Sequence, residues 1–280
     1  MTEVRYHETG EIILDGIYDQ SDPVSYYATL ARLDYQMPRH AAPVLRQLIE
    51  ELRRVRGRQA LTIVDLGAAY GINAAMLKHG HELDSLYRRY GQEDDRDALL
   101  ARDRHDHAVP ADPDLRIIGI DRAGRALDYA VDAGLLDAGI EADLEQRDLD
   151  ADEVALLGNV DLIISTGTTG YVTGISLGRL LAATGARRPW MAHFVLRMAD
   201  FDAPRAVLEE HGYATETAPE IYPLRRFASE AERIRVLDNL GQLGIDPEGA
   251  EGEGMYFAQL HIARPGGDEA NLPLAGILKG

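Results

Sequence analysis

The composition of this chain excludes several classes of protein. Its 280 residues hold 29 Lys and Arg against 47 Asp and Glu, a formal net charge of −18, which disfavours binding to nucleic acid phosphates or to anionic lipid. There is no cysteine, so disulfides and thiolate metal sites are excluded. No apolar run approaches the roughly 20 residues of a membrane span, and no signal peptide pattern begins the chain. We expect a cytoplasmic protein of one large domain with a cap.

The first 42 residues are predicted to form an arm and a helical cap. Ile12, Ile13 and Leu14 predict a short strand that ends at a turn. The next segment, residues 18–40, is rich in tyrosine. Rings with polar tips suit a partly wet wall of a binding site, but they suit equally well the packing of a cap onto the domain. From Pro43 onward, apolar residues recur at helical spacing and predict a helix that ends near Arg58.

Residues 61–77 are the most informative stretch of the sequence. An apolar, β-branched run predicts a buried parallel strand; it stops at Gly67, and a helix is predicted to follow Gly71. A strand, a glycine turn and a helix form the general nucleotide-binding element of an α/β sheet. The three-glycine phosphate fingerprint and the P-loop pattern are both incomplete here. The version present, Asp65-x-Gly67-x-x-x-Gly71, resembles motif I of the class I S-adenosylmethionine-dependent methyltransferases.

Residues 78–114 interrupt the alternation of strands and helices and are predicted to be an insertion. Histidines and acids are frequent in it, which raises the question of a metal site. We expect no metal, because His79 and His81 would point to different faces of a helix and His105 to His107 are flanked by charge. The polar composition favours a solvated, mobile lid that acts with residues 18–40 as a cover over the acceptor site.

The next predicted strand ends at Asp121, where the resemblance implies an acid that accepts hydrogen bonds from the two ribose hydroxyls of the cofactor. Asp121 would also suit the start of the following helix, predicted over residues 124–138. A third strand is predicted over residues 144–148. The resemblance implies that Asp148, at its end, binds the adenine edge. On the same basis the cofactor is expected to contact Asp65, Gly67, Ala69, Gly71, Asp121, Arg122, Asp148, Leu149, Ser165 and Thr166.

The second half of the chain predicts the remaining strands of the sheet. Residues 160–164 form a buried strand that runs into a loop rich in hydroxyls and glycines, and residues 190–196 form a fifth strand. Residues 213–217 and 256–263 predict two final strands, which the family pairs antiparallel at the sheet edge. The expected fold is α/β, a Rossmann-like seven-stranded mixed sheet over residues 43–264, followed by a loosely attached tail, residues 265–280.

The resemblance implies methyl transfer from S-adenosylmethionine to an O or N nucleophile of a small-molecule acceptor. The expected acceptor-side residues are Tyr35, His40, Tyr171 and His193, with histidine as the natural base. Three arginines, Arg197, Arg225 and Arg226, are candidates to hold a substrate carboxylate. The expected partners are a small-molecule substrate and a second copy of the chain in a homodimer. Two alternatives stay open: a nicotinamide-dependent oxidoreductase, and a protein that binds S-adenosylmethionine without transferring its methyl group.

Overall fold

The fold is built on one seven-stranded sheet. The computed structural model describes residues 5–7, 9–91, 95–167, 173–268 and 274–278. The strands are β1 (Leu61–Leu66), β2 (Leu115–Asp121), β3 (Ala138–Glu141), β4 (Leu162–Thr166), β5 (Trp190–Leu196), β6 (Tyr213–Arg226) and β7 (Met255–Pro265).

The strand order is β3-β2-β1-β4-β5-β7-β6. The first five strands of this order are parallel, and β7 runs antiparallel to both β5 and β6. Every residue of β1 is buried, as expected for a central parallel strand that helices cover on both faces. The predicted fold, a Rossmann-like seven-stranded mixed sheet with an antiparallel end, is therefore confirmed.

Helices occupy both faces of the sheet. In the described part of the chain they are α1 (Val24–Arg32), α2 (Met37–Arg56), α3 (Ile72–Leu77), α4 (Leu83–Arg89), α5 (Arg96–Asp106), α6 (Gly124–Asp132), α7 (Ala151–Leu156), α8 (Gly174–Thr184), α9 (Asp202–Glu210), α10 (Glu230–Gln242) and α11 (Leu274–Ile277). Apolar residues of α2, α3, α6 and α10 share one core with the sheet, and those of α8 and α9 share the core on the opposite face.

The N-terminal arm, residues 5–7 and 9–17, lies against the end of β6 and the start of α10. Tyr6 and Ile12 form an antiparallel bridge, so the arm is a small hairpin. The Ile12 amide donates to Glu232 of α10 at 2.8 Å, and the Arg235 guanidinium lies 4.5 Å from the centre of the Tyr6 ring. The arm is thus held to the domain by polar and cation–π contacts.

Three boundaries differ from the sequence prediction. The third strand is Ala138–Glu141, not residues 144–148, which lie in a turn and the segment after it. The helix before it, α6, ends at Asp132, because Gly134 adopts φ +75° and stops the helix. Helix α2 begins at Met37, with Pro38 in its first turn, so Pro43 lies inside the helix and does not open it.

The described part of the insertion, residues 78–91 and 95–114, is a packed layer and not the solvated lid that its composition predicts. Apolar side chains of α4 and α5 are buried, among them Leu83, Leu86 and Leu99. The fully buried Asp103 accepts hydrogen bonds from Tyr90 at 2.7 Å and from Tyr129 of α6 at 2.8 Å. Arg89 donates two further hydrogen bonds, at 2.7 and 2.9 Å, and Arg102 Nε lies 3.4 Å from the same carboxylate. The few apolar residues suffice because this network satisfies the buried charge.

Candidate functional site

The loop after β1 has a backbone that brings its N–H groups to the sheet edge. Gly67 and Gly71 have φ of +79° and +74°, and Ala69 has φ +44° although it carries a side chain. A non-glycine residue in this region is strained and needs support from its surroundings. The support is visible: the Ala69 amide donates to Asp121 Oδ2 at 2.8 Å.

Asp121 lies at the carboxyl end of β2, directly beside this loop. Its second oxygen, Oδ1, accepts the Ala123 amide at 2.9 Å, so the carboxylate bridges the loop after β1 and the start of α6. Burial raises the pKa of Asp121, and the hydrogen bonds from the backbone act against that rise. A carboxylate has about four lone-pair sites, so Asp121 retains acceptor capacity toward a ligand.

Asp65 lies one layer below the loop and is fully buried. Asn73 of α3 donates one amide hydrogen to Asp65 Oδ1 and the other to Thr166 Oγ1, both at 3.0 Å. The second oxygen of Asp65 is buried without a hydrogen-bond partner in the described part of the protein. Burial raises the pKa of Asp65 to about 7. Burial of this kind disfavours the charged form of the carboxylate.

A cavity of about 280 Å³ opens above these groups. Its floor comes from the carboxyl ends of three parallel strands, through Gly67, Asp121 and Thr166. Its walls come from the arm, α1 with its flanking segments, and β6. The residues that line it are His7, Glu11, Ile12, Leu14, Tyr18, Asp19, Tyr26, Leu30, Tyr35, Gly67, Ala69, Ile72, Asp121, Arg122, Ala123, Thr166, Gly167, Leu224 and Arg225. This is the edge at which open α/β sheets bind ligands.

A smaller slot adjoins the cavity and shares Gly67, Asp121 and Arg122 with it. Its far side is formed by Ala142, Asp143 and Leu144, which directly follow β3. Asp143 therefore occupies the position after the third strand that the sequence analysis gave to Asp148. The prediction differs because the third strand was placed at residues 144–148; residues 138–141 give only a weak apolar signal, since Ile140 alone is buried.

Asp148 and Leu149 lie away from both spaces. The Asp148 side chain is 84% exposed and pairs with Arg179 Nε at 2.7 Å. Leu149 packs against the core on the α8 face of the sheet. Neither residue lines the cavity or the slot, so the positions of their side chains do not support the predicted contact with an adenine.

His193 and Ser165 form a buried pair on the face of the sheet that lies away from the cavity. The two residues are register partners on β5 and β4, and Ser165 Oγ lies 2.8 Å from His193 Nδ1. Burial lowers the pKa of His193 to about 3, and neither side chain lines the cavity. His193 is therefore not placed to act as the base, and Ser165 is not placed to contact the cofactor. Side-chain alternation explains this, since Thr166 faces the cavity and Ser165 faces the opposite layer.

The remaining acceptor-side predictions have different outcomes. Tyr35 lines the cavity, and its hydroxyl donates to the Thr166 carbonyl at 3.4 Å. His40 lies in the first turn of α2 with its ring 3.4 Å from Gln36 Oε1 and does not line the cavity. Tyr171 lies outside the described residues. Gly71 packs toward Leu135 and Leu136 and so supports the loop from behind.

Several lining residues have no motif in the sequence that identifies them. Glu11 reaches the cavity because the arm folds back over the sheet edge, at a sequence distance of more than 200 residues from Arg225, its ion-pair partner. Tyr18 and Tyr26, from the tyrosine-rich segment, line the same wall with ring centroids 5.6 Å apart. The interpretation of this segment as a wall of a site is thus supported for the tyrosines that face the cavity, whereas Tyr27 is packed against Tyr90 in the core.

Two histidines of the insertion, His81 and His107, lie in contact with each other. His81 Nε2 lies 3.1 Å from His107 Nε2, and His107 Nδ1 lies 2.8 Å from the Ala133 carbonyl. Over the described ranges, however, no group of three or more His, Asp or Glu side chains has the geometry to hold a metal ion. Within the same residues, no helix is long and apolar enough to cross a bilayer.

No family model and no curated protein matches the sequence. Among solved structures, the chain is similar to magnesium protoporphyrin IX methyltransferase from Synechocystis PCC 6803, at 13% identity over 88% of this chain and 85% of that one, with a TM-score of 0.39. It is also similar to a TehB-like SAM-dependent methyltransferase from Corynebacterium glutamicum, at 14% identity over 76% and 85% of the two chains, with a TM-score of 0.38.

A SAM-dependent methyltransferase from Geobacter sulfurreducens in complex with S-adenosylhomocysteine is 12% identical over 79% of this chain and 90% of that one, with a TM-score of 0.37. At these values the assignment of the fold rests on the strand order, the antiparallel seventh strand and the loop after β1. By these features, the chain has the fold of the class I S-adenosylmethionine-dependent methyltransferases.

Proposed function

We propose that this protein binds S-adenosylmethionine and transfers its methyl group to an O or N nucleophile of a small molecule. The observation that carries the proposal is the arrangement of three features at one sheet edge: the Gly67 to Gly71 loop, Asp121 braced against it, and the slot that ends at Asp143. The chemistry of these groups suits a ligand with a cationic amino-acid part, a ribose and an adenine.

Each group has a role that follows from its position. Asp121 would accept hydrogen bonds from the ribose hydroxyls with its remaining lone pairs. Asp143 and the backbone beside it would meet the adenine edge in the slot. Asp65 is fully buried and does not line the cavity, so it would act indirectly, by holding Asn73 of α3 beside the loop. When bound, this ligand supplies an electrophilic methyl group on a sulfonium.

The acceptor would lie between the loop and the wall formed by the arm, α1 and β6. There the protein's main contribution is to hold the acceptor atom in line with the methyl group and to exclude water. Tyr35 would orient the acceptor as a neutral hydrogen-bonding group, because burial raises its pKa well above the ordinary value. His193 takes no part in this proposal, since it is buried and does not line the cavity.

The nicotinamide-dependent alternative has less support. The dinucleotide fold has six parallel strands in the order 3-2-1-4-5-6, whereas here an antiparallel β7 lies next to β5. The loop after β1 also has alanine, not glycine, at position 69. That substitution removes one of the glycines that allow the backbone to approach a pyrophosphate closely.

Calorimetry with S-adenosylmethionine, S-adenosylhomocysteine and NAD tests the cofactor. We expect the first two to bind in the micromolar range and NAD to bind at least about a hundredfold more weakly, a difference of about 2.7 kcal/mol. Transfer of a radiolabelled methyl group to a panel of small acceptors then separates an enzyme from a protein that only binds the ligand. Preferential binding of NAD would contradict the proposal.

A further inference from the structure

The wall of the cavity that faces away from the glycine loop determines what the acceptor meets. Two parts of the chain that are distant in sequence form this wall. Glu11 and Leu14 come from the arm, and Leu224 and Arg225 come from β6. Charged groups on this wall act in a partly enclosed space, where electrostatic interactions are stronger than in water.

The three arginines that the sequence offers for a substrate carboxylate are all engaged by protein acids. Arg197 Nη1 lies 2.7 Å from Glu251, and the exposed Arg226 lies 3.4 Å from Asp34. Arg225 is only 3% exposed; its Nη2 lies 2.9 Å from Glu232 and 3.3 Å from Glu11. A carboxylate on the acceptor would have to displace an existing ion pair, so these arginines do not favour an acidic acceptor.

The two acids around Arg225 are not equivalent. Glu232 is fully buried and accepts hydrogen bonds from Tyr256 at 2.9 Å, from the Ile12 amide at 2.8 Å and from the Ala228 amide, besides Arg225. Burial acts to raise its pKa, but the hydrogen bonds and the charge of Arg225 hold the pKa below the ordinary value. Glu232 is therefore a fully hydrogen-bonded acid that forms the main ion pair with Arg225.

Because Glu232 is the main partner of Arg225, the carboxylate of Glu11 is left without a full counter-charge. Among the described residues, the Glu11 carboxylate accepts one hydrogen bond, from Arg225 at 3.3 Å, which is long for a charge-assisted contact. Its side chain is 17% exposed and lines the cavity. Burial raises the pKa of Glu11, with the charge of Arg225 acting in the opposite direction. Glu11 is thus a poorly satisfied carboxylate that faces the acceptor space.

The neighbouring lining is aromatic. Tyr18, Tyr26 and Tyr35 line the same cavity as Glu11. Ring faces attract ammonium groups by cation–π interaction, with about 0.5 to 2 kcal/mol for each favourable contact. The cavity lining holds three acids, Glu11, Asp19 and Asp121, and two arginines, Arg122 and Arg225. A carboxylate with one weak partner beside tyrosine rings matches an amine better than an acid.

We propose that the methyl acceptor is an amine, and that Glu11 both recognises its nitrogen and takes the proton that the nitrogen releases. This inference rests on the proposed methyl transfer. The amine enters as an ammonium ion and transfers one proton to the Glu11 carboxylate. The nitrogen lone pair then forms the bond to the methyl carbon while the carbon–sulfur bond breaks, and its electron pair stays on sulfur. The proton on Glu11 passes to water as the products leave.

A matched series of ligands tests the recognition step: 2-(4-hydroxyphenyl)ethylamine, the corresponding alcohol and the corresponding carboxylic acid. Calorimetry on the complex with S-adenosylhomocysteine compares them on one skeleton. We expect the amine to bind about tenfold or more tightly than the acid. In Glu11→Gln, which removes the charge and keeps the shape, the amine should lose about tenfold in affinity and the affinity of the alcohol should not change.

The control variant is Glu230→Gln, which removes an acid that is 69% exposed on α10, and it should leave all three affinities unchanged. Unchanged affinity for S-adenosylhomocysteine in Glu11→Gln shows that the variant is folded. Three outcomes would each overturn this inference while leaving the proposed methyl transfer intact: the acid binds best, the amine does not bind, or Glu11→Gln leaves the affinity for the amine unchanged. If the unaltered protein fails to bind S-adenosylhomocysteine, the proposed function itself fails.

Discussion

The N-terminal segment, residues 5–42, and the insertion, residues 78–114, differ in what they contribute to the site. Their sequences predict a shared role as a cover. The N-terminal segment supplies Glu11, Tyr18 and Tyr35 to the wall of the main cavity, whereas no described residue of the insertion lines it. The reason is topological: the insertion leaves the far end of α3 and packs against α6 and α1, so it lies behind the N-terminal segment and does not reach the cavity.

Polar composition alone does not identify a lid. The insertion is polar because its buried interactions are polar: Asp103 accepts hydrogen bonds from Arg89, Tyr90 and Tyr129, and Lys78 pairs with Asp137 at 2.6 Å. The N-terminal segment is the more aromatic of the two, and its rings form part of a cavity wall. The insertion thus contributes to stability, and the N-terminal segment contributes to the site.

The largest expected effect is that of Asp103→Ala on stability. The change leaves Arg89 and two tyrosine hydroxyls without their common partner, and losing one side of a buried ion pair costs about 3 to 5 kcal/mol. Chemical denaturation should show this loss, while the folded variant should bind S-adenosylhomocysteine within about twofold of the unaltered protein. Asp106→Ala is the matched control. Asp106 pairs with the same Arg89 but is 37% exposed, so it should cost at most about 1 kcal/mol.

A loss of cofactor affinity in Asp103→Ala comparable to its loss of stability would contradict the separation of the two regions. The insertion would then be coupled to the glycine loop. The path for such coupling would run through Tyr129, whose ring lies 6.2 Å from that of Tyr70 in the loop.

The next largest effect is on affinity and concerns Asp121→Ala. Losing a charge-assisted contact to the ribose costs on the order of 1.5 to 3 kcal/mol, or about tenfold to a hundredfold in affinity. Calorimetry with S-adenosylhomocysteine measures it, and circular dichroism confirms that the variant is folded. Asp148→Ala is the control and should bind normally, because Asp148 lies away from the slot. Equal losses in both variants would contradict the assignment of the site.

Sequence reasoning predicted the parts of the molecule that local patterns determine. The buried strands β1, β2, β4 and β5 have long apolar runs, and Gly67 with Asp121 marks the edge of the sheet at which the candidate site lies. The third strand was misplaced because β3 has only four residues, of which only Ile140 is buried, so its apolar signal is weak. The composition of residues 144–148 resembles a strand as much as that of β3 does, but these residues form the turn after β3 and the segment that follows it.

The wall of the site could not be predicted, because it depends on contacts between distant parts of the chain. Glu11 has no neighbouring motif, and its position depends on a hairpin that the Glu232 and Arg225 network anchors. His193 was predicted to be a base because the ordinary pKa of histidine lies near neutral pH. It is the fourth of the seven residues of β5, opposite Ser165 and His261, and its side chain is buried outside the cavity. Side-chain alternation along β5 decides this, and a one-residue change in register would reverse it.

A smaller effect is expected from pH, and it arises in the insertion. Burial lowers the pKa of His79 to about 4 from the ordinary value of 6.5. Between these two values the unfolded chain binds the proton and the folded chain does not, so the free energy of unfolding falls as the pH falls from 6.5 toward 4. His79→Gln should reduce the loss of stability between pH 7 and pH 5 by on the order of 1 to 2 kcal/mol.

Denaturation curves at the two pH values measure this difference. The exposed His105 on α5 provides the control, and His105→Gln should leave the pH dependence as it is in the unaltered protein. The prediction is wrong if His79→Gln has the same pH dependence as the unaltered protein, in which case other buried groups such as His261, whose pKa burial lowers to about 4, would account for the acid sensitivity.

The smallest expected effect is a change in hydrogen exchange, and it distinguishes the two regions most directly. The amides of α4 and α5 close helical hydrogen bonds over a buried apolar face and should exchange slowly in the free protein, with no change when S-adenosylhomocysteine is added. The arm is held by few backbone hydrogen bonds, among them Ile13 to the Arg5 carbonyl at 3.0 Å. Its amides should exchange quickly in the free protein and severalfold more slowly in the complex, because the ligand fills the cavity that the arm covers. Mass spectrometry of peptides from residues 5–17 and 96–106 compares the regions within one sample. Slower exchange on ligand binding in α5 but not in the arm would reverse the roles assigned here, since the insertion would then be the segment that closes over the site.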